Sequence, residues 1–293
     1  MERSSYMLPV AVGCSYNRCT FCTLFKHLRY RPLPIEQVEQ ELKRVSAAGG
    51  NPVQIFLGDG NAFGMETDHL LHILELIHRY FPGCRMVNMD ATVTNISQKS
   101  DKELRLLYDQ GVRRLYLGIE SGLEDVLSFT KKDHNLQQAY CQIERMKNAG
   151  MIFNAHIMTG IAGAGRGTEN AQQTALFFNR TQPERIINFS LFLNRRAPLF
   201  RDYQAGRFTA SELENLMEDR LLVSLLQVPG LHYDGMHDML KVRVRGTLPQ
   251  DREKMLKKFD EAISHWQTQP PVYAVLGEEH TFSSNEISTD QSA

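Results

Sequence analysis

Two rhythms of apolar residues alternate along this chain. In ETDHLLHILELIHRYF, Leu70, Ile73, Leu74 and Ile77 fall on one face of a helix, whereas runs such as VQIFL and RIINFSLFL are almost continuously apolar, as in a strand covered on both faces. The two rhythms meet at VSAAGGNPVQIFLG around Gly49 and Gly50, at LYDQGVRRLYLG around Gly111, and at MKNAGMIFNAHIMTG around Gly150. At each, a helix ends on the residue that most readily takes the left-handed closing conformation, and a strand begins at once. Strands are predicted to start near Val10, Val53, Met86, Arg114, Ile152 and Ile186, roughly 30 to 45 residues apart, the size of a βαβ unit. SDKE (Ser100 to Glu103) and TASE (Thr209 to Glu212) both read as capping boxes.

Repeated helix-then-strand units predict an α/β fold with a parallel sheet, which a doubly wound sheet or a barrel satisfies equally. Beyond Gly230 the rhythm fades. LHYDGMHDM reads as a polar loop, PQDREKMLKKFDEAISHW as one last amphipathic helix, and GEEHTFSSNEISTDQSA as a polar, disordered end. The expected organisation is one domain over residues 1–229, an extension over 230–276 and a tail over 277–293.

Composition narrows the partners. At 293 residues and 42% hydrophobic content the chain can bury one large core without disulfides, and a net charge of -1 gives no overall basic footprint for nucleic acid. No apolar run approaches the ~18 residues of a membrane span, and the first residues lack a signal-peptide core. A cytoplasmic protein with no membrane or nucleic-acid partner is the expectation. The five cysteines are odd in number and three crowd into nine positions, which points to metal or redox chemistry and away from a disulfide framework.

Those three, Cys14, Cys19 and Cys22 in AVGCSYNRCTFC, leave the first predicted strand at its C-terminal end, the functional end of a βα unit. Three thiolates on a short irregular loop can take three corners of a [4Fe-4S] cube, leaving the fourth iron open to a small chelating molecule. Structural zinc is the main rival. It wants four ligands, and with no second C-x2-C in the chain its best form is a Cys3His site completed by His27. Cys84 and Cys141, remote from the trio, read as small core residues.

With these residues the chain resembles the radical S-adenosylmethionine superfamily over roughly residues 6 to 195. TFC supplies the family's aromatic residue, Phe21, before the last cysteine, and CSYNRC is one residue longer than the usual first gap. LGDGNAF, with Gly58, Asp59 and Gly60, resembles the stretch whose backbone receives the methionine amino group. NMDA places Asp90 near the cofactor, and GIESG places Glu120 and Ser121 at the ribose or methionine end. TKKDH offers Lys132 to the carboxylate, and His156 stands where some relatives carry an acidic ribose ligand. IMTGIAGAGRGTENA and FSLFLNRRAPLF resemble the segments around the adenine; GAGRG comes too late in the chain for a dinucleotide loop after a first strand.

The resemblance implies a partial (β/α)6 TIM-like barrel with a helical C-terminal extension, related to oxygen-independent coproporphyrinogen oxidase. It implies two cofactors, a [4Fe-4S] cluster and S-adenosylmethionine, whose reductive cleavage yields a 5′-deoxyadenosyl radical that abstracts hydrogen from a substrate. A flavodoxin- or ferredoxin-type reductant and a small-molecule substrate follow, the latter met by Arg195, Arg196 and the His232, Asp234, His237, Asp238 segment, with peptide or tRNA substrates left open. A non-catalytic iron-sulfur or structural zinc protein is the alternative.

Overall fold

A computed structural model of the protein describes residues 5–275. The chain runs β1 (Tyr6–Gly13), β2 (Arg31–Pro32), α1 (Ile35–Ala47), β3 (Gln54–Gly60), α2 (Thr67–Tyr80), β4 (Met86–Ala91), α3 (Val93–Ser97) and α4 (Asp101–Asp109). It continues through β5 (Val112–Glu120), α5 (Glu124–Phe129), α6 (Leu136–Asn148), β6 (Ile152–Thr159), α7 (Gly167–Thr181) and β7 (Arg185–Ser190). The last elements are α8 (Phe200–Gln204), α9 (Glu212–Leu225), β8 (Leu231–His237), β9 (Val242–Leu248) and α10 (Arg252–Trp266).

One nine-stranded sheet, ordered β2-β1-β3-β4-β5-β6-β7-β8-β9, carries the described residues. Every pairing from β1 to β8 is parallel, and the edge strands β2 and β9 are antiparallel to their neighbours. The sheet does not close, so this is a partial TIM-barrel type of fold. All six expected strands are present.

The side-chain period of two sorts each strand between two faces. Leu115, Leu117 and Ile119 of β5 are buried in the main apolar core, and Phe153 of β6 meets Phe178 of α7 with ring centroids 6.5 Å apart. The alternate residues turn to the inner face, where Phe56, Tyr116, His156 and Phe189 form a row of rings at successive centroid distances of 5.6, 5.7 and 5.9 Å. Leu70, Ile73, Leu74 and Ile77 of α2 are fully buried, as their spacing predicts. Gly49, Gly111 and Gly150 take the left-handed conformation expected of them, with φ of +79°, +103° and +99°.

Three expectations are corrected. LHYDGMHDM is not a loop: its first seven residues are β8, a seventh parallel strand, so the extension contributes β8, β9 and the expected helix α10 to the same fold. TASE does not cap α9. Ser211 does, accepting from the Glu214 N–H at 3.3 Å, because Glu212 is drawn into a buried network with Ser190. The Ser100–Glu103 capping box forms as expected. Finally, Cys84 is buried but Cys141 is exposed on α6, outside the helix's apolar stripe. The expected disordered tail, 277–293, lies outside the described residues.

Candidate cofactor site at the strand ends

Beyond Gly13, the last residue of β1, the chain enters the cysteine loop, which other elements hold tightly. A Cβ at Gly60 would stand 2.5 Å from the Gly13 carbonyl oxygen, so the ends of β1 and β3 meet only because glycine is there. The Asn61 N–H donates to that same oxygen at 3.0 Å. Asn17, left-handed at φ +48°, gives its side-chain amide to Phe25 O at 2.7 Å and receives Lys26 Nζ on its carbonyl at 2.7 Å. The Thr20 N–H reaches Thr130 O at 2.9 Å, and Tyr16 Oη donates to Lys131 O at 2.7 Å. Contacts to the turn that follows α5 therefore fix a loop that has no regular structure of its own.

The three thiols share one electrostatic neighbourhood. Burial pushes the Cys19 thiol up to about 11 and raises Cys22, while Lys132 pulls Cys19 back and Glu120 acts on both. Thiolates there are costly unless cationic charge compensates them. The Asn17 N–H approaches Cys14 Sγ at 3.5 Å. Phe21 packs with a second apolar cluster that includes Leu123, Val126 and Leu191. Among the described residues, no three His, Cys, Asp or Glu side chains converge tightly enough for one metal ion, and His27 is exposed.

Beside the thiols, Glu120 ends β5 in the left-handed conformation, φ +66°, and Lys132 donates to its Oε1 at 3.2 Å. Their side chains are 11% and 6% exposed. A Cβ at Gly118 would lie 2.5 Å from Glu120 Oε1 and 3.1 Å from Lys132 Nζ, so this glycine leaves the space in which the pair lies over the strand. Burial works against the Lys132 ammonium, yet Cys19, Glu120 and Asp133 together raise its pKa well above the usual value. Asp133 lies 3.7 Å from Lys132, accepts the Thr94 N–H at 2.9 Å and faces His134 at 3.0 Å. It is held far below the usual carboxylate range: burial opposes this, but His134, Lys132 and Thr94 outweigh it. Asp133 and His134 escaped the sequence reading of TKKDH, where only burial distinguishes them from surface charges.

The remaining predicted residues divide. Asp90 at the end of β4 is raised to about 6 by burial, and His156 on the inner face is lowered to about 4, chiefly by burial and then by Lys132, so its imidazole is neutral near pH 7. Gly58 lies against Met7 of β1, and exposed Asp59 is left-handed at φ +62°. Ser121 does not join them. It is fully buried, donating to Asn170 Oδ1 at 2.5 Å and accepting the Leu123 N–H at 3.0 Å.

Nor do the residues expected to meet substrate form one group. Arg195 and Arg196 are exposed, His232 touches Thr247 Oγ1 at 3.1 Å, Arg243 Nε donates to Asp234 at 2.7 Å, and exposed Asp238 opens a short turn whose Leu240 is buried. His237 is fully buried beside Asp219 at 3.1 Å and Glu212 at 3.6 Å, and those two carboxylates overcome its burial and raise it to about 9.

A partial parallel barrel whose first strand feeds a three-thiol loop over a buried Glu–Lys pair is the setting of one known family. The model of the radical SAM superfamily matches residues 8–170, more than half of the chain, and the chain belongs to that superfamily. Its cofactors are accordingly a [4Fe-4S] cluster and S-adenosylmethionine. The heme chaperone HemW of Bacillus subtilis (strain 168) is 23% identical over 222 residues, which cover 73% of this chain and 58% of HemW. Among solved structures, Elp3 of Methanocaldococcus infernus shares the fold with a TM-score of 0.56 at 14% identity, over 90% of this chain and 63% of that one. The radical S-adenosylmethionine methyltransferase TsrM of Kitasatospora setae, solved with cobalamin and a [4Fe-4S] cluster bound, matches with a TM-score of 0.52 at 16% identity, over 67% of this chain and 38% of TsrM. The chain thus spans just over half the length of HemW. Among the described residues no helix is long and apolar enough to cross a membrane.

Proposed function

We propose that Cys14, Cys19 and Cys22 each hold one iron of the cluster, that the open fourth iron takes S-adenosylmethionine, and that the chain is an enzyme acting on a small-molecule substrate. When bound, the cluster and S-adenosylmethionine would supply reductive one-electron cleavage of the sulfonium and, through it, hydrogen-atom abstraction from substrate. What carries the reading is the common neighbourhood of the three thiols and the buried Glu120–Lys132 pair at the ends of β1 and β5. Among the described residues no tight three-ligand group forms, a spacing that suits sulfurs spread over the corners of a cube better than a single zinc ion.

The chain's own residues then have distinct tasks. Lys132 balances the anionic charge of the loop and orients the Glu120 carboxylate, which can accept hydrogen bonds from the ribose hydroxyls or the methionine ammonium. The backbone at Gly58 to Gly60 allows close approach of the amino group. Neutral His156 offers one donor and one acceptor on the inner face, and Asp90, titrating near 6, is ionised in most molecules at pH 7. Phe21 walls the loop off from water. Ser121 acts from behind, holding the turn after Glu120.

The test is anaerobic reconstitution with iron and sulfide. The native chain should gain a brown chromophore of four irons and release 5′-deoxyadenosine from S-adenosylmethionine under dithionite; Cys14→Ala, Cys19→Ala and Cys22→Ala should each lose both. Stoichiometric zinc with no cleavage would select the structural alternative. A second reading, heme binding, is favoured by the match to HemW over 73% of the chain, and a heme titration followed in the Soret region decides it. Flavodoxin or ferredoxin is the reductant proposed.

A further inference from the structure

From Cys14 to Ile35 the chain contains Arg18, Lys26, His27, Arg29 and Arg31 and not one Asp or Glu, although the whole chain is balanced at a net charge of -1. Arg18, Arg29 and Arg31 are exposed, and none forms an ion pair among the described residues. Elsewhere on the surface several arginines are matched to carboxylates: Arg44 to Glu41, Arg166 to Asp125 and Arg207 to Asp202 at 2.7 Å, and Arg220 to Asp260 at 2.5 Å. Exposed Arg85, Arg201 and Arg245 also lack an ion pair among the described residues, so what sets the thiol loop apart is a run of 22 residues with five basic side chains and no acidic one.

Their position follows from the topology. Arg31 lies in the edge strand β2, opposite Val12 of β1, and a Cβ on Gly13 would stand 3.2 Å from Tyr30 Cα. Arg29 and Arg31 therefore flank the last residues of β1 before Cys14, and Arg18 lies between Cys14 and Cys19. Two residues beyond Cys22, Leu24 is 71% exposed, an apolar contact point inside a cationic rim. Glu36, opening α1, and Glu66, preceding α2, border the patch without pairing to it.

We propose that this Arg18–Arg31 surface docks an acidic one-electron carrier protein that reduces the cluster; the proposal rests on the cluster reading above. The transfer moves one electron from the carrier, which is oxidised, to the cluster, which is reduced, with no bond made or broken. Opposite charge on the two surfaces raises the encounter rate and orients the carrier's redox group toward the thiols, and a small, transient interface suffices for such an exchange. RNA is the less suited occupant. Binding single strands calls for aromatic platforms among the cations, and here Tyr30 is half-buried with its hydroxyl donating to Asn61 O at 3.2 Å, while Phe25 is half-buried in the loop.

The test compares reductants on the reconstituted native protein and on Arg29→Glu/Arg31→Glu, following the bleaching of the cluster absorption anaerobically. With reduced flavodoxin as probe, the native rate should fall as salt rises, and the double variant should be slower by about tenfold at low salt. Reduction by dithionite, a small anion with no docking surface, should go to completion and slow far less than reduction by flavodoxin, and the methyl viologen radical cation should reduce the variant at least as fast as the native protein. Arg18→Ala should show a smaller loss in the same direction. A native flavodoxin rate in the double variant, its cluster still reducible by dithionite, overturns the docking surface alone, as does salt-sensitive tRNA binding that the variant loses while its flavodoxin rate stays native. A native protein with no dithionite-reducible cluster overturns the reading beneath it.

Discussion

The polar groups at the ends of β1, β4 and β5 are partly to largely buried, those behind β6, β7 and β8 almost fully so, and the two sets are oppositely directed. In the first region Cys19, Cys22, Glu120, Lys132 and Asp133 gather on a fixed loop and the adjoining strand end, with unbalanced thiols that ask for a cationic guest. In the second, Glu218 accepts the Gly160 N–H at 3.0 Å and the Asn170 amide at 2.6 Å, Asp219 binds Tyr233 and His237, and Glu212 accepts from Ser190 at 2.8 Å. That network is largely satisfied within itself. Buried polarity marks a binding site where the charges are left incomplete and a structural joint where they are closed. The two are tied together by Ser121, which follows Glu120 in sequence and donates to Asn170.

The comparison can be broken from either side. The largest effect should come from Cys22→Ala, which is expected to abolish both bound iron and 5′-deoxyadenosine release while leaving the far-UV spectrum of the apoprotein unchanged. Next, Lys132→Met strands Glu120 as an unpaired buried carboxylate, while Asp133 keeps Thr94 and His134, and should cost about 3–5 kcal/mol in denaturant unfolding. Its iron content should fall as well, which no change in the rear network should do.

Alkaline pH probes the rear network. His237 is raised from 6.5 to about 9 and Glu218 from 4.5 to about 8, the latter by burial. Both bind protons more tightly when folded, so the histidine's contribution is whole below 6.5 and the carboxyl's below 4.5, and each is lost as pH rises through its folded value. Thermal unfolding should shift downward between pH 6.5 and 9, by on the order of 3 kcal/mol for the histidine, and His237→Gln should flatten that part of the profile. The smallest effect expected is that of Asn170→Ala. Removing the partner of Ser121 and Glu218 should cost about 1–3 kcal/mol of stability and leave the iron content of the reconstituted protein intact.

Much was legible in the sequence because it was written locally. The helix period placed Leu70, Ile73, Leu74 and Ile77 in the core, glycine chemistry located the ends of three helices, and the thiol spacing singled out one loop among many. What escaped was written between distant segments. LHYDGMHDM has too many polar residues to read as a strand, yet β7 on one side and β9 on the other give its backbone partners, and α9 supplies Asp219 and Glu212 to its histidine. Ser121 and Glu120 are neighbours in a single motif, but the strand's alternation and the left-handed turn at Glu120 send one to the front and the other to the back.

The sequence by itself determined that this chain builds parallel βα units and carries three thiols on the loop after the first strand, because period, capping and spacing act over a few residues. Tertiary structure alone decided which charges stand beside those thiols, since Lys132 and Glu120 meet Cys19 only when β1 and β5 lie in one sheet. It decided also that His237 is enclosed, because burial belongs to the surroundings a residue acquires from elements far away in the chain.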